Sequence, residues 1–185
     1  LLYEWKLMKQ KYKLVEMNPV SWKFGGVRPY NFPTFKLAQL ARFITEWKFN
    51  AALIERDDCV TQLRKLLSNS LNIFWEHHFH FNKATSKKHN TYLSDKSKDL
   101  IIINALPTYL FFLAQVEGDF KHIDRALEIL NKIPNEQNFI IKDWKKKGVP
   151  IKSAGDSQGL IELRNEFCNF RRCLSCAVGQ NILKN

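Results

Sequence analysis

The chain has 185 residues, 45% of them apolar and 13% aromatic, which is enough for one domain with a full core and excludes an intrinsically disordered chain. Its net charge of +11 favours nucleic acid as a partner. Lys outnumbers Arg 21 to 8, and there are 15 Asn, so a compositional bias towards Lys and Asn explains the same charge. Because nucleic-acid readers usually depend on Arg, whose planar fork suits phosphates and bases, both explanations stay open.

Four cysteines, three of them close to the end of the chain, do not resemble the disulfide framework of a secreted protein. The chain begins without an initiator Met or a signal peptide, so we expect a fragment of a longer, cytoplasmic protein. The longest apolar run, residues 100–116, is interrupted by Asn104, Pro107 and Thr108. It falls short of the roughly 20 residues that span a bilayer, so no membrane partner is predicted.

Helical patterns account for most of the first half of the chain. We predict helices over residues 1–15, from Pro33 to about Trp47, over residues 51–56, and from Cys59 to Leu67 after a cap on Asp57 or Asp58. Between the first two helices lies an irregular aromatic segment, residues 21–33, of a kind that is either a packed loop or a site. Residues 71–81 fit a short strand or a helical turn equally well, and a polar, Lys-rich loop follows.

A long apolar helix dominates the second half of the chain. It is predicted to begin at a cap on Ser94 or Asp95, to run to about Val116 and to kink at Pro107. Further helices are predicted over residues 120–133, over residues 135–147 with Gly148 as C-cap, and from Gln158 to about Arg171 after a cap on Asp156 or Ser157. Seven or eight helices without a convincing strand pair predict an all-α, single compact multi-helix domain with little or no sheet over residues 1–185.

Short blocks spread along the chain carry a family resemblance. They are Trp22-Lys23, Val27-Arg28-Pro29 with Asn31-Phe32-Pro33, Leu37 to Ala41, Trp75 with His78 and Phe81, Ile101 to Asn104 with Pro107, Arg125-Ala126-Leu127, Asn138 with Ile140, Ile141 and Trp144, Asp156-Ser157-Gln158 with Leu160, Ile161 and Leu163, and Cys168, Cys173 and Cys176 with Gly179. In this order and together, the blocks resemble the uncharacterised bacterial family known as domain of unknown function 2851.

The resemblance implies that this chain is the C-terminal part of a longer protein, because members of the family are much longer. The missing N-terminal region of the same protein is then a predicted partner. That region is similar to nucleases that use paired carboxylates and a nearby Lys, so the resemblance implies a role beside nucleic-acid processing. The family has no established reaction, and no catalytic residues are carried over to this chain.

The spacing of Cys168, Cys173 and Cys176 is the strongest chemical signal in the sequence. A CxxC turn places two thiolates on one ion, so the three would bind zinc or an iron–sulfur cluster if a fourth ligand joined them. The candidates for that ligand are distant in the sequence and are Cys59, His77, His78 and His80. Without a fourth ligand, Cys168 is a core thiol on the apolar face of its helix. We therefore interpret the cluster as a packing element without a cofactor first, and as a metal site second.

The other candidate site residues lie in the aromatic segments. His77, His78 and His80 would serve as ligands or as a base, or would pack as aromatic rings among their Phe and Trp neighbours. Arg28 and Asn31 precede the helix start at Pro33, where free N–H groups and the helix dipole would help them to hold an anionic ligand. The alternative is that Arg28 holds the loop in place by bonding to backbone carbonyls.

No complete catalytic motif is present in the sequence. Glu46-Trp47-Lys48 matches half of a carboxylate nuclease site, but the earlier acidic residue that would share the metal is missing. We therefore leave the function unknown and predict a helical accessory domain that supports nucleic-acid processing. The alternative is a structural or protein-interaction module whose charge is compositional. A third hypothesis is an enzyme whose pocket joins the Arg28 loop to the histidines.

Overall fold

The computed structural model describes residues 2–184, and helices make up most of them. These residues form eight α-helices and one two-stranded antiparallel hairpin, which confirms the all-α prediction. The elements are α1 (Leu2–Tyr12), α2 (Pro33–Trp47), α3 (Cys59–Leu66), β1 (His78–His80), β2 (Lys83–Ala84), α4 (Asp95–Glu117), α5 (Lys121–Lys132), α6 (Phe139–Lys146), α7 (Ala154–Glu162) and α8 (Ala177–Lys184). β1 lies in the stretch for which the sequence left strand and helical turn open.

Two compact units make up the described chain. The first unit consists of residues 1–50 and 69–92, and the second unit consists of residues 51–68 and 93–185. The hairpin and the first two helices belong to the first unit, and the remaining helices belong to the second. Whether the two units form one domain depends on how they are arranged. The prediction of one domain over residues 1–185 therefore stays a prediction.

The first unit is built around Phe35, near the start of α2, whose side chain is 0% exposed. α2 begins with Phe32 as its N-cap and Pro33 at its first position, where the missing N–H of proline costs no hydrogen bond. Phe35 packs against Trp75 and Phe79, whose ring centroids lie 5.9 Å and 5.2 Å from its own. The core of the first unit is therefore aromatic.

Three hydrogen bonds fasten the hairpin segment to α2 and close it on itself. The Thr34 hydroxyl donates to the carbonyl of Phe79 over 2.6 Å, which places β1 beside the start of α2. Gln39 Nε2 donates to the carbonyl of Thr91 over 3.1 Å. The N–H of Leu71 donates to the buried hydroxyl of Thr91 over 3.0 Å, so the two ends of the segment lie next to each other.

The second unit has an aliphatic core, in which α5 packs against α4 and α7. Its most deeply buried apolar side chains are Leu110, Ala126, Ile129, Ile133, Ile141 and Ala154. Side-chain caps begin three of its helices: Ser94 for α4, Asn138 for α6 and Ser153 for α7. Each cap satisfies a backbone N–H of the first turn that has no partner inside the helix.

α6 begins later than predicted, at Phe139 instead of Asn135. The side chain of Asn138 accepts a backbone hydrogen bond over 3.0 Å and fixes the first turn there. Pro134, on which the earlier start was predicted, forms an antiparallel bridge with Ser153 instead. Backbone pairing of Pro134 in the second unit therefore moves the start of α6 to Phe139.

α7 begins and ends earlier than predicted. Ser153 and Asp156 form a capping box, so the helix starts at Ala154 and Asp156 lies in its first turn instead of before it. After Glu162 the chain continues as a π-helix, Leu163–Cys168, and the predicted α-helix to Arg171 is wrong there.

Asp58 precedes α3 as predicted, but its side chain makes no capping bond. Its carboxylate accepts hydrogen bonds from Arg56 Nε and Gln62 Nε2, each over 2.8 Å. These donors, Arg56 first, lower the pKa of Asp58 to about 2 because they stabilise its charged form. The short helix predicted before it is a 3-10 turn, Ala51–Leu53.

α4 is the longest helix in the described residues and has two unlike faces. Its interior Pro107 is buried, whereas several apolar side chains on the opposite face are exposed, namely Ile101, Phe112 and Val116. Asn104 and Thr108 donate to carbonyls of the same helix, so they add little polarity to the exposed face. By length and composition α4 could cross a membrane, so the prediction that this apolar stretch is too short is wrong; the core helix of a soluble protein passes the same test.

Candidate functional site

The four cysteines all belong to the second unit, and all are free thiols. Cys168 ends the π-helix and is exposed, Cys173 begins a 3-10 turn and is exposed, and Cys176 is buried. Cys59 is buried in α3, and its sulfur lies 3.5 Å from a guanidinium nitrogen of Arg125. The thiols therefore occupy unlike environments.

No group of three or more His, Cys, Asp or Glu side chains in residues 2–184 is arranged to hold a metal ion. The predicted ligand set of Cys168, Cys173 and Cys176 is therefore not assembled, and binding of zinc or an iron–sulfur cluster stays a prediction. Cys168 is exposed, so the prediction of a core thiol there is wrong, and of these three cysteines Cys176 alone is buried. A side chain at Gly179 would collide with the backbone of Cys173, so the turn lies directly against α8.

The predicted histidines lie in and beside the hairpin of the first unit, and His77, His78 and His80 are all half-buried. His78 stacks on Phe74 with centroids 3.9 Å apart and an angle of 7° between the rings. Its Nδ1 lies 2.8 Å from the carbonyl oxygen of Phe74. His80 lies edge-on to Phe24, with centroids 6.3 Å apart. His78 and His80 therefore pack as aromatic rings.

Arg28 and Asn31 flank a 3-10 turn just before α2, and both side chains are exposed. The carbonyl of Arg28 accepts the N–H of Asn31 over 2.7 Å, so the backbone holds this turn. Within the described part of the chain, the guanidinium of Arg28 forms no hydrogen bond or ion pair, so the prediction that it bonds to backbone carbonyls is wrong. An anion site at these two positions stays a prediction.

A cleft of about 390 Å³ opens at the tip of the hairpin, and we name it the hairpin cleft. Its lining residues are Phe24, Phe32, Thr34, His80, Phe81 and Asn82. The rings of Phe24 and Phe32 meet edge to face, with centroids 5.1 Å apart. The cleft joins the aromatic segment before α2 to the histidine stretch, as the third hypothesis required, although Arg28 is not part of it.

Three polar residues line the hairpin cleft. The Thr34 hydroxyl donates its proton to the carbonyl of Phe79 and keeps its lone pairs as acceptors. Nδ1 of His80 accepts from the N–H of Asn82 over 3.2 Å, so the neutral ring carries its proton on Nε2. Acceptor and donor groups thus stand beside aromatic rings, an arrangement that suits a planar ligand with a polar edge.

The hairpin cleft lacks the paired groups that nucleophilic or acid–base catalysis needs. His80 is the one titratable residue among those that line it, and its Nδ1 is paired with a backbone N–H instead of a carboxylate. The proton of Thr34 is committed to a carbonyl, so no base activates this hydroxyl. The arrangement can bind and orient a ligand but contains no complete catalytic set.

A second cleft of about 500 Å³ shares Phe24 with the first, and we name it the Trp cleft. Its lining residues are Trp5, Val15, Glu16, Met17, Trp22 and Phe24. Lys9 donates to the Glu16 carboxylate over 2.6 Å, and this bond lowers the pKa of Glu16. Because Phe24 belongs to both clefts, aromatic rings line two adjoining concavities on the first unit.

His89 is an aromatic partner that the sequence analysis missed. Its ring stacks on Phe79 with centroids 3.8 Å apart and an angle of 7° between the planes. Nδ1 lies 3.2 Å from the carbonyl oxygen of Asn90, and Nε2 is buried without a hydrogen-bond partner. The stretch around His89 is Lys-rich and polar, and no periodicity marks a single ring in such a loop as part of a core.

Charge is divided unevenly between the units. The first unit contains 12 Lys and Arg, four Glu and no Asp, which gives +8, whereas the second contains 17 Lys and Arg and 14 Asp and Glu, which gives +3. Lys23 and Lys83 are exposed and adjoin the cleft residues Phe24 and Asn82 in the chain. The clefts therefore lie in the more positive unit.

The family described as Protein of unknown function (DUF2851) matches residues 1–139. The chain belongs to this family. The match covers the first unit with both of its clefts, and it ends before Cys168. No curated protein matches the chain, and no solved structure does. Membership in this family confirms the predicted resemblance and leaves the function unknown.

Proposed function

We propose that the first unit binds nucleic acid, and that the chain acts as an accessory part of a larger cytoplasmic protein that processes nucleic acid. The observation that carries the proposal is the scarcity of acidic residues in the first unit, four Glu against 12 Lys and Arg. A surface of this kind attracts the phosphate backbone and releases the counterions that surround it.

Ion pairs inside the first unit occupy three of its four acidic side chains. Lys9 pairs with Glu16, Arg42 with Glu46 over 2.9 Å, and Lys88 with Glu76 over 2.9 Å. Each of these acids is thus neutralised locally by one base. Most of the remaining basic side chains have no carboxylate to compete with a phosphate, and the exposed ones include Lys23, Lys83 and Lys87.

Salt dependence of binding tests the proposal. Labelled duplex and single-stranded oligonucleotides are titrated with the protein at several salt concentrations, starting at about 50 mM. We expect log affinity to fall linearly with log salt, with a slope of several units, because each neutralised phosphate contributes about −0.7 to −0.9. An absence of binding to either oligonucleotide at low salt contradicts the proposal.

A charge-reversal pair assigns the binding to the first unit. In the variant Lys23→Glu with Lys83→Glu, we expect the magnitude of the salt slope to fall by about 2, because two phosphate contacts are lost. The matched control is Lys145→Glu with Lys146→Glu in the last turn of α6, which makes the same change in net charge in the second unit. Equal loss of affinity in both variants would show that net charge alone drives association.

The second candidate function is a structural or protein-interaction module without a nucleic-acid role. The exposed apolar side chains of α4 favour it, because exposed apolar surface is typical of a protein contact. Its partner would be another region of the same protein. The salt titration separates the two candidates, since this module would not bind either oligonucleotide.

A further inference from the structure

We infer that the hairpin cleft and the Trp cleft hold unpaired bases of single-stranded nucleic acid, stacked on Phe24 and Phe81. The inference rests on the proposed function, because it names the form of nucleic acid that the first unit recognises. It concerns base contacts, whereas the proposed function concerns phosphate contacts, and the two can therefore fail separately.

Among the residues that line the two clefts, Phe81 offers the most accessible stacking surface, since its side chain is 67% exposed at the tip of the hairpin. Its ring packs against Trp75, with centroids 5.4 Å apart, and against Phe74, with centroids 6.3 Å apart. An exposed ring that is already fixed by its neighbours loses little conformational freedom when a base stacks on it. Bases of every type have a flat face, so such a platform tolerates any sequence.

The polar groups of the hairpin cleft complement the edge of a base. Nε2 of His80 is available as a donor because Nδ1 is engaged by the N–H of Asn82, and the Thr34 hydroxyl is available as an acceptor. Bases present donors and acceptors on the same edge. At about 390 Å³ the cleft falls in the size range of small-molecule sites, which is ample for one base.

The charge inside the Trp cleft decides which part of a nucleotide enters it. Glu16 is the one charged residue that lines this cleft, and Lys9 pairs with its carboxylate over 2.6 Å, so the lining offers no free positive charge to a phosphate. Trp5, Trp22 and Phe24 suit an apolar, planar group instead. The bases therefore lie in the clefts, and the phosphates follow the lysines outside them.

Duplex DNA cannot use these surfaces, because its bases are stacked on each other and paired. Unpaired bases reach aromatic side chains only in single strands, loops and ends. Among nucleic acids, the structure therefore predicts a preference for single strands. An acidic protein segment would use the lysines equally well but would leave the aromatic clefts without a planar occupant.

The first experiment uses the unaltered protein. Oligothymidylate of about 12 nucleotides is compared with an abasic strand of equal length and charge, and with a duplex of equal length. We expect oligothymidylate to bind about 5- to 100-fold more tightly than the abasic strand, and to quench the fluorescence of Trp5 and Trp22. Equal affinity for the two strands overturns the inference and leaves phosphate binding intact.

The second experiment replaces Phe81 with Ala. We expect affinity for oligothymidylate to fall about 5- to 100-fold while affinity for the abasic strand changes less than about twofold. The matched control is Phe120→Ala in the second unit, whose side chain is 77% exposed. Far-UV circular dichroism and thermal melting check that both variants fold.

Three results would overturn the inference. Phe81→Ala would bind oligothymidylate as the unaltered protein does, or Phe120→Ala would lose as much affinity as Phe81→Ala. Poly-glutamate would displace oligothymidylate as effectively as an equally charged single strand, which would assign the surface to acidic proteins. If no strand binds at low salt, the proposed function fails together with the inference.

Discussion

The two units have nearly the same density of basic residues, 12 among the 74 residues of the first and 17 among the 111 residues of the second. They differ in acidic residues, of which the first contains four and the second 14. A compositional bias towards Lys therefore explains the basic residues of both units. This bias does not explain why the first unit contains so few of the acidic residues that balance the basic charge in the second unit.

The cores of the two units differ as well. The first unit buries Phe35 among other rings, with Trp75, Phe79 and His89 within 6 Å of its centroid. The second unit buries branched and small aliphatic side chains from consecutive helices. Because helix periodicity places aliphatic residues on one face, the sequence shows the second core directly. The aromatic core of the first unit comes from a helix, a 3-10 turn, a strand and a loop, so no single sequence period predicts it.

Removal of a central side chain from each unit should give the largest effect. We expect Phe35→Ala to lower the free energy of unfolding of the first unit by about 3–5 kcal/mol, because a fully buried ring leaves a cavity. Four of the five Trp lie in this unit, so Trp fluorescence in a urea titration reports its unfolding.

Leu110→Ala is the counterpart in the second unit, where we expect a loss of about 2–5 kcal/mol. Far-UV circular dichroism follows that loss, since most helices of the described chain belong to the second unit. If Phe35→Ala leaves the urea midpoint of the fluorescence transition unchanged, the first unit does not depend on an aromatic core around Phe35.

The two units also differ in how their helices begin, and loss of a helix cap should cost less stability than loss of a core side chain. α7 begins with a capping box at Ser153, whereas α2 begins at Phe32 without a side-chain cap. We expect Ser153→Ala to cost about 1 kcal/mol, because the N–H of Asp156 loses its acceptor. Urea denaturation followed by circular dichroism measures the loss, and Ser153→Thr, which keeps the hydroxyl, should restore most of it. Equal stability of the Ala and Thr variants would contradict a capping role.

Acid should lower the stability of the second unit more than that of the first. We expect this effect to be smaller than those of the core and cap substitutions. Hydrogen bonds from Arg56 and Gln62 lower the pKa of Asp58 to about 2, and the exposed carboxylates of Asp95 and Asp143 also have lowered pKa values because of Lys98 and Lys147. A lowered pKa adds stability above the pKa of the unfolded chain, near 3.8, and the gain is lost as pH falls towards 2.

Asp58→Asn tests this pH dependence. We expect the variant to melt at a lower temperature than the unaltered protein at about pH 5 and to lose less stability between about pH 4 and pH 2, because one proton-linked contact is absent. Thermal melts by circular dichroism at these pH values compare the two proteins. Parallel losses of stability in both proteins would exclude Asp58 as a contributor.

The sequence predicted the fold class and the ends of α2 correctly, because Pro33 and the apolar spacing mark that helix. It misplaced the starts of α6 and α7, since the bridge between Pro134 and Ser153 joins residues far apart in the chain. The candidate site was predicted in part. His80 and the aromatic segment were singled out, but Phe81 and Asn82 acquire their roles only when the hairpin closes, and a period-2 pattern over three residues is too short to predict that.

The first unit is made from two stretches of chain that are separated by residues 51–68. Phe35 belongs to the first stretch, and its packing partners Trp75 and Phe79 belong to the second. During synthesis Phe35 is therefore made before the rings that will cover it. Apolar surface that is exposed before its partners are made is open to aggregation, so we expect chaperone access during synthesis of residues 51–80 to raise the yield of the folded protein.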